Sequence, residues 1–303
     1  MSLRHNETDA TALADDLELF RYVYRPGDAQ LESPRPFFHP VRTLRGDLVT
    51  IYRPHDHVWH KGIALSLPQV GTDNFWGGPT FRNGAYVQVH NDGAMRHDGF
   101  DVAVAKDDVV RLDERLTWVT EAGQTPVTER RRIAATVLPS ADPGAAWLLA
   151  FETTLVNVSG AQIVIGSPTT AGRPNAGYGG LFWRGPRSFT GGTVVTPDGT
   201  GGDELMGTHA PWLAFAGQHD EHGRSSTLVF RDSRELQLPD PVVRAQHAIR
   251  GGVPRAVLRH GVPLFRRRGA HAALRHRGRG RLARPGRLRP ARRARGGAGP
   301  ASG

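Results

Sequence analysis

The chain predicts an all-β fold, a large antiparallel β-sandwich, on three observations. Short runs rich in Val, Thr, Ile and aromatic residues recur through residues 1–241. Several alternate apolar and polar side chains with the period of two that turns one face inward. Gly, Pro, Asn and Asp punctuate them at short intervals, as the turns of a sandwich or barrel require.

In chain order, residues 1–20 read as an N-terminal extension with a weak helix over Ala10–Phe20. Strands are expected at Leu48–Tyr52, Tyr86–His90, Asp101–Ala105, Arg115–Thr120 and Thr128–Leu138. Trp147–Val158, Gln162–Ser167, Trp212–Ala216 and Ser226–Phe230 complete the set. Antiparallel sheets with one wet face explain why much of this text is only half apolar. No internal repeat and no Pro/Gly-rich linker divides residues 21–241, so they read as one domain.

From Val242 the text changes. Residues 242–303 hold 17 Arg and no Lys, Asp or Glu. That leaves 22 Lys+Arg against all 29 Asp+Glu, a net −7, for residues 1–241, so the +10 of the whole chain comes from the tail. Functional basic arms mix Lys with Arg and carry aromatics for stacking. This tail has one Phe, no Tyr and no Trp, which argues against a specific nucleic-acid partner. A coding cause fits better. Arg and Gly codons of a GC-rich gene, read one base later, become codons for Val, Ala, Asp, Glu or Gly. Gly269–Arg281 can then spell ELTLRYDIVVADG, and the stretch from Val242 can spell WFVRSTPY. The last 62 residues therefore read as a frameshift product, disordered for want of apolar residues to bury, and the body as missing its last strands.

The chain has no cysteine, hence no disulfide and no thiolate metal site, in agreement with a reducing, cytoplasmic setting. The first residues are acidic and show no apolar signal-peptide core. No apolar run approaches membrane-spanning length.

Residues 36–62, PFFHPVRTLRGDLVTIYRPHDHVWHKG, carry the chemistry. His39, His55, His57 and His60 fall within 22 residues, with Arg53 and Asp56 among them. Imidazoles titrate near neutrality, so such a cluster suits proton transfer or metal ligation. On a strand His55 and His57 would share a face opposite Asp56. His60 could return to the same site through a tight turn. The alternative is a polar strand end whose histidines are only hydrogen-bonded.

Two further segments look like site material. DNFWGG places Asn74 and Trp76 on one face if extended. TTAGRPNAGYGGLFWR gathers Arg173, Asn175, Tyr178, Trp183 and Arg184 around small residues. Aromatics, Arg and Asn on a Gly-rich loop suit a sugar, whose C–H face stacks on an indole; the alternative is a tight connection with Trp183 in the core. Glu129, in TERRRI, is a candidate carboxylate or an ordinary strand residue. His209, His219 and His222 read as surface residues.

PFFHPVRTLRGDLVT, RPHDHVWHKG, NFWGG and GRPNAGYGGLFWR, in this order, resemble the soluble bacterial family labelled "methane oxygenase PmoA", a domain of unknown function, over roughly residues 20–241. The resemblance implies a β-sandwich of unproven activity, often found beside sugar-catabolic oxidoreductases. Methane oxidation is not carried over, because the particulate monooxygenase subunit is a membrane protein and no spanning segment is present.

Three functions follow from these segments. The first is a carbohydrate-active enzyme, similar in style to aldose mutarotases, acting on a sugar or keto-sugar. One His is its general base, another its general acid, and Arg53 or Arg184 steadies oxyanion charge. The second is a cupin-type enzyme with a divalent metal on His55, His57 and His60; the Glu expected a few residues after H-x-H is absent. The third is a non-catalytic sugar-binding module. The cofactor and the oligomeric state stay open.

Overall fold

The computed structural model describes residues 1–139, 146–231, 255–260 and 264–267. Strands β1 (Ser2–His5), β2 (Asp9–Ala14), β3 (Leu17–Val23), β4 (Phe37–Val41), β5 (Ile63–Val70) and β6 (Asp73–Phe75) come first. A hairpin of β7 (Thr80–Arg82) and β8 (Ala85–Val87) follows. Then come β9 (Ala94–Lys106), β10 (Val109–Val119), β11 (Val127–Val137), β12 (Trp147–Asn157), β13 (Ile165–Gly166) and β14 (Gly180–Trp183). The described strands end with β15 (Thr193–Thr196), β16 (Gly199–Gly201), β17 (Trp212–Gln218), β18 (Ser225–Arg231), β19 (Arg255–His260) and β20 (Leu264–Arg267).

These strands make two main antiparallel sheets, and the protein is all-β. One sheet runs β1-β2-β3-β4-β5-β13, with β6 and β14 also paired to β5. The other runs β16-β15-β17-β18-β20-β12-β11-β10-β9, with β19 paired to β12. Alternation is cleanest where it is longest. Along β10, Val110, Leu112, Leu116 and Trp118 are buried and their neighbours are not. Across β11 and β12, Ile133 opposes Phe151 and Ala135 opposes Leu149. They meet Phe20, Tyr22, Phe38 and Leu65 of the first sheet in one core. Each Val, Leu, Ile or Phe among them contributes roughly 1.5–3 kcal/mol relative to exposure.

The N-terminus corrects the sequence reading. Residues 1–20 are no extension and Ala10–Phe20 is no helix. They form β1, β2 and most of β3, with Ala10, Ala12, Leu19 and Phe20 fully buried. Asp15, at φ +50, turns the chain between β2 and β3, and alternating burial across the hairpin outweighs the helix propensity of Ala and Leu. Leu48–Tyr52 is not a strand either; only Leu48 and Tyr52 make isolated bridges, to Arg42 and Lys61. Pairing continues past Val242, because β20 joins β18 to β12.

A charged network lies between the sheets and takes Glu129 out of any site. Its carboxylate accepts bonds from Trp118 Nε1 at 2.8 Å, Arg131 Nε at 2.7 Å and Thr153 Oγ1 at 2.7 Å. Arg131 also donates to the Tyr22 hydroxyl at 2.8 Å. Tyr22 in turn donates to Glu114, whose other oxygen lies 2.7 Å from His97 Nδ1. Glu129 and Arg131 are buried and mutually satisfied, as interior charges must be. His219 likewise leaves the surface where the sequence placed it: it is buried, 2.7 Å from Ser226 Oγ. Among the described residues, no helix is long and apolar enough to cross a membrane.

Candidate functional site

The histidine segment is two consecutive turns, not a strand. His57 N–H donates to the Pro54 carbonyl at 2.9 Å, and His60 N–H to the His57 carbonyl at 2.9 Å. Pro54 fixes the entry to the first turn. Spacing by three, rather than by two, therefore brings side chains together. The His57 and His60 rings stack at 4.8 Å and 15°. His55 diverges and lies 3.4 Å from the Arg187 guanidinium. Arg187 also donates to Asp56 at 2.8 Å, and the other Asp56 oxygen lies 3.3 Å from His57 Nδ1.

An aromatic wall stands behind the two stacked rings. His60 packs on Phe182 at 4.9 Å and edge-on to Trp76 at 5.7 Å. Trp76 packs on Tyr178 and Phe182, both at 4.7 Å. The Tyr178 hydroxyl meets that of Tyr86, on the β7–β8 hairpin, at 2.9 Å. Arg173 lies over the Tyr86 ring at 5.0 Å and donates to its hydroxyl. The NFWGG bend exists for this packing. Gly77 and Gly78 have φ of +95 and +72, and a Cβ on Gly78 would lie 2.6 Å from the Trp59 ring. Only glycine fits there.

Asn74 and Trp183, two of the expected site residues, do structural work instead, while Asn175 and Arg184 sit on a loop and a strand edge. Asn74 is buried and spent within the bend: it receives the Trp76 and Gly77 amides and donates to Gly78 O and Asp92. Trp183 donates to Val49 O at 2.8 Å and packs on Phe189, Phe215 and Phe230. Asn175 is exposed at a loop position with φ +53. Arg184 is half-buried and continues the β14 edge, its amide donating to Gly62 O at 2.7 Å.

His39 and Arg53 belong to a different cluster, which the sequence reading missed. Arg53 forms a bidentate pair with Glu32 at 2.8 and 2.9 Å. Lys61, with no exposed surface, binds Glu32 and lies 3.0 Å from Asp28. Tyr52 donates to Asp28 at 2.7 Å and stacks on His39. Gly27, Asp28, Ala29, Glu32, Tyr52 and Arg53 line a cleft here. Arg35, also buried, donates to the carbonyls of Glu32, Ser33 and Trp59. The cluster thus braces the underside of the turn that carries His57 and His60. Parity was the available signal. Lys61 stands in step with the buried Ile63, Leu65 and Leu67, so its ammonium had to find carboxylates inside. Nothing local announced that Asp28 and Glu32 would supply them.

Burial pushes the His39 imidazole down to about 4, and that of His60, with Arg184 adding repulsion, to about 3. Both are neutral in the fold and bind protons below about 6.5 once unfolded. Their contribution to stability is thus complete above pH 6.5 and is lost as pH falls toward those values. Between pH 7.5 and 5 the protein is expected to lose on the order of 2–4 kcal/mol, read by urea denaturation. His39→Gln and His60→Gln should each flatten the dependence. Equal stability at the two pH values would mean that these rings are charged in the fold.

Among the described residues, no three His, Asp or Glu side chains are placed to hold a metal ion. Parallel stacked imidazoles aim their lone pairs along separate lines, so His57 and His60 do not converge on one ion in this arrangement. The chain belongs to the family of unknown function DUF6807, whose model matches residues 10–268. The match therefore runs past Val242. No curated protein and no solved structure matches the chain.

Proposed function

We propose that the protein is a carbohydrate-active enzyme in which His57 moves a proton to or from a sugar or keto-sugar. The observation that carries this is the exposed His57 imidazole, with Asp56 3.3 Å from its Nδ1, stacked on His60, which itself packs on Trp76 and Phe182. A carboxylate at Nδ1 selects the tautomer and leaves Nε2 free to exchange a proton. Arg187 fixes that carboxylate from its other side. His60, neutral at working pH, gives His57 a stacking surface. Apolar ring faces and polar hydroxyls together match the two faces of a sugar. The lack of cysteine fits a cytoplasmic setting.

A panel of aldoses and keto-sugars, followed by NMR for exchange, isomerisation or elimination, tests the reading. His57→Ala should lower turnover by at least about 100-fold and shift the melting temperature by no more than about 2 °C, because an exposed ring contributes little to the core. Binding without turnover of any sugar would make the protein a sugar-binding module. Loss of folding with activity per folded molecule unchanged would make the histidine structural.

We further propose that the gene is read out of frame from about Val242. The support is compositional: 17 Arg in 62 residues without one acid, in a stretch that supplies strands to the middle of a sheet.

A further inference from the structure

We propose that the sugar this site takes is an acid, a uronate or related carboxylated sugar, whose carboxylate is received by Arg184. The inference rests on the sugar reading above and narrows it to a substrate class.

The argument begins with charge balance. Arg53, Arg131, Arg187 and Arg224 each have a carboxylate oxygen at 2.6–2.8 Å. Arg184 has none. Among the described residues its side chain makes no hydrogen bond and no ion pair, although it is half-buried. Its backbone is fixed on both sides, donating to Gly62 O at 2.7 Å and accepting from Ile51 N–H at 2.9 Å. A guanidinium on a rigid edge, part-desolvated and without an acid, is a built receptor for an anion.

The surroundings agree. His60 is 8% exposed, and its Nδ1 is buried without a partner. After burial, the influences on this ring are Arg184, His57 and Arg35, all of which oppose its protonation. The carboxylate that opposes them, Asp56, is already ion-paired with Arg187. The buried His60 Nδ1 therefore lacks a partner beside guanidiniums whose nearest carboxylate is already engaged. At the far end of the aromatic wall, Arg173 meets the Tyr86 hydroxyl and ring but no carboxylate. A neutral sugar would leave the guanidinium that acts on His60 and the one over Tyr86 without an acid. A carboxylate accepts two parallel N–H bonds from one guanidinium, which fixes the sugar's orientation as well as its charge. A phosphoryl group fits less well, because its three oxygens are usually met by a nest of backbone amides or a helix N-terminus.

Calorimetric titration of the full chain with D-glucuronate, D-galacturonate, D-glucose, D-galactose and D-glucose 6-phosphate tests this. Either uronate should bind at least tenfold tighter than its neutral parent. Arg184→Gln should erase that ratio and Arg184→Lys should restore part of it, with melting curves reporting that both variants fold. The His60 ring, followed by NMR, should titrate at higher pH when the uronate is bound, and should not move with the neutral sugar. Equal affinity for acid and neutral sugars would overturn the carboxylate proposal and leave the sugar reading standing. Tighter binding of the phosphate would also overturn it. If no saccharide binds, the sugar reading itself falls, and the proposal with it.

Discussion

Replacing Glu129 by alanine is expected to destabilise the protein by about 3–5 kcal/mol, close to the whole stability of a marginal domain. The substitution strands three side chains at once. Arg131 loses both bonds to its carboxylate partner, and the Trp118 indole and Thr153 hydroxyl lose their acceptor. All lie in the packed space between the sheets, where water cannot replace the lost oxygens. Each orphaned neutral donor costs about 1–3 kcal/mol, and an unpaired buried charge costs more. Glu129→Gln keeps the shape and one acceptor, so it should fall between. Urea denaturation with an unchanged slope would show that the folded state is affected and not the compactness of the unfolded chain. A loss below about 1 kcal/mol would mean that water reaches Glu129 and that it is free for chemistry after all.

Glu129 also shows where sequence patterning reaches its limit. Its strand was legible: the alternation in Thr128–Leu138 matches β11, Val127–Val137, to within one residue at each end. The same alternation puts Glu129 inward, in step with Arg131 and Ile133. An inward Glu two residues from an inward Arg is a core ion pair before it is a catalyst. The histidine segment was legible as composition but not as geometry. Strand parity paired His55 with His57, whereas two turns pair His57 with His60 and send His55 to Arg187. Turn direction depends on what lies beneath, and that is Arg35 and the Lys61–Asp28–Glu32 cluster, assembled across 29 residues of chain between Glu32 and Lys61. The N-terminus failed for a simpler reason. Ala, Leu and Asp look helical in isolation, and only the partner strand β3 and the facing core make Ala10 and Ala12 inward residues.

A gene with its frame restored after the Pro241 codon is expected to yield a protein that melts several degrees higher, and a chain stopped at residue 241 one that melts lower than either. The reason is topological. In the larger sheet, β20 pairs with β18 through Leu228↔Phe265 and Val229↔Leu264, and with β12 through Leu148↔Leu264. β19 adds six more register positions along β12, from Phe151↔His260 to Val156↔Arg255. Without these strands, β15–β18 and β9–β12 share no ladder, and two edges lie open to other chains. Arg-rich text can supply backbone bonds there, but its like charges repel one another. The string ELTLRYDIVVADG, which the restored frame spells over residues 269–281 just after β20, alternates as a half-buried strand should and would bring apolar surface that the present text lacks there. In a domain of this size each kcal/mol regained raises the melting temperature by about 2–4 °C, so the difference lies within reach of a thermal scan. Light scattering should rank aggregation in the opposite order. Equal melting of the restored and present chains would show that the closing strands need no apolar face, and the out-of-frame proposal would lose its physical consequence.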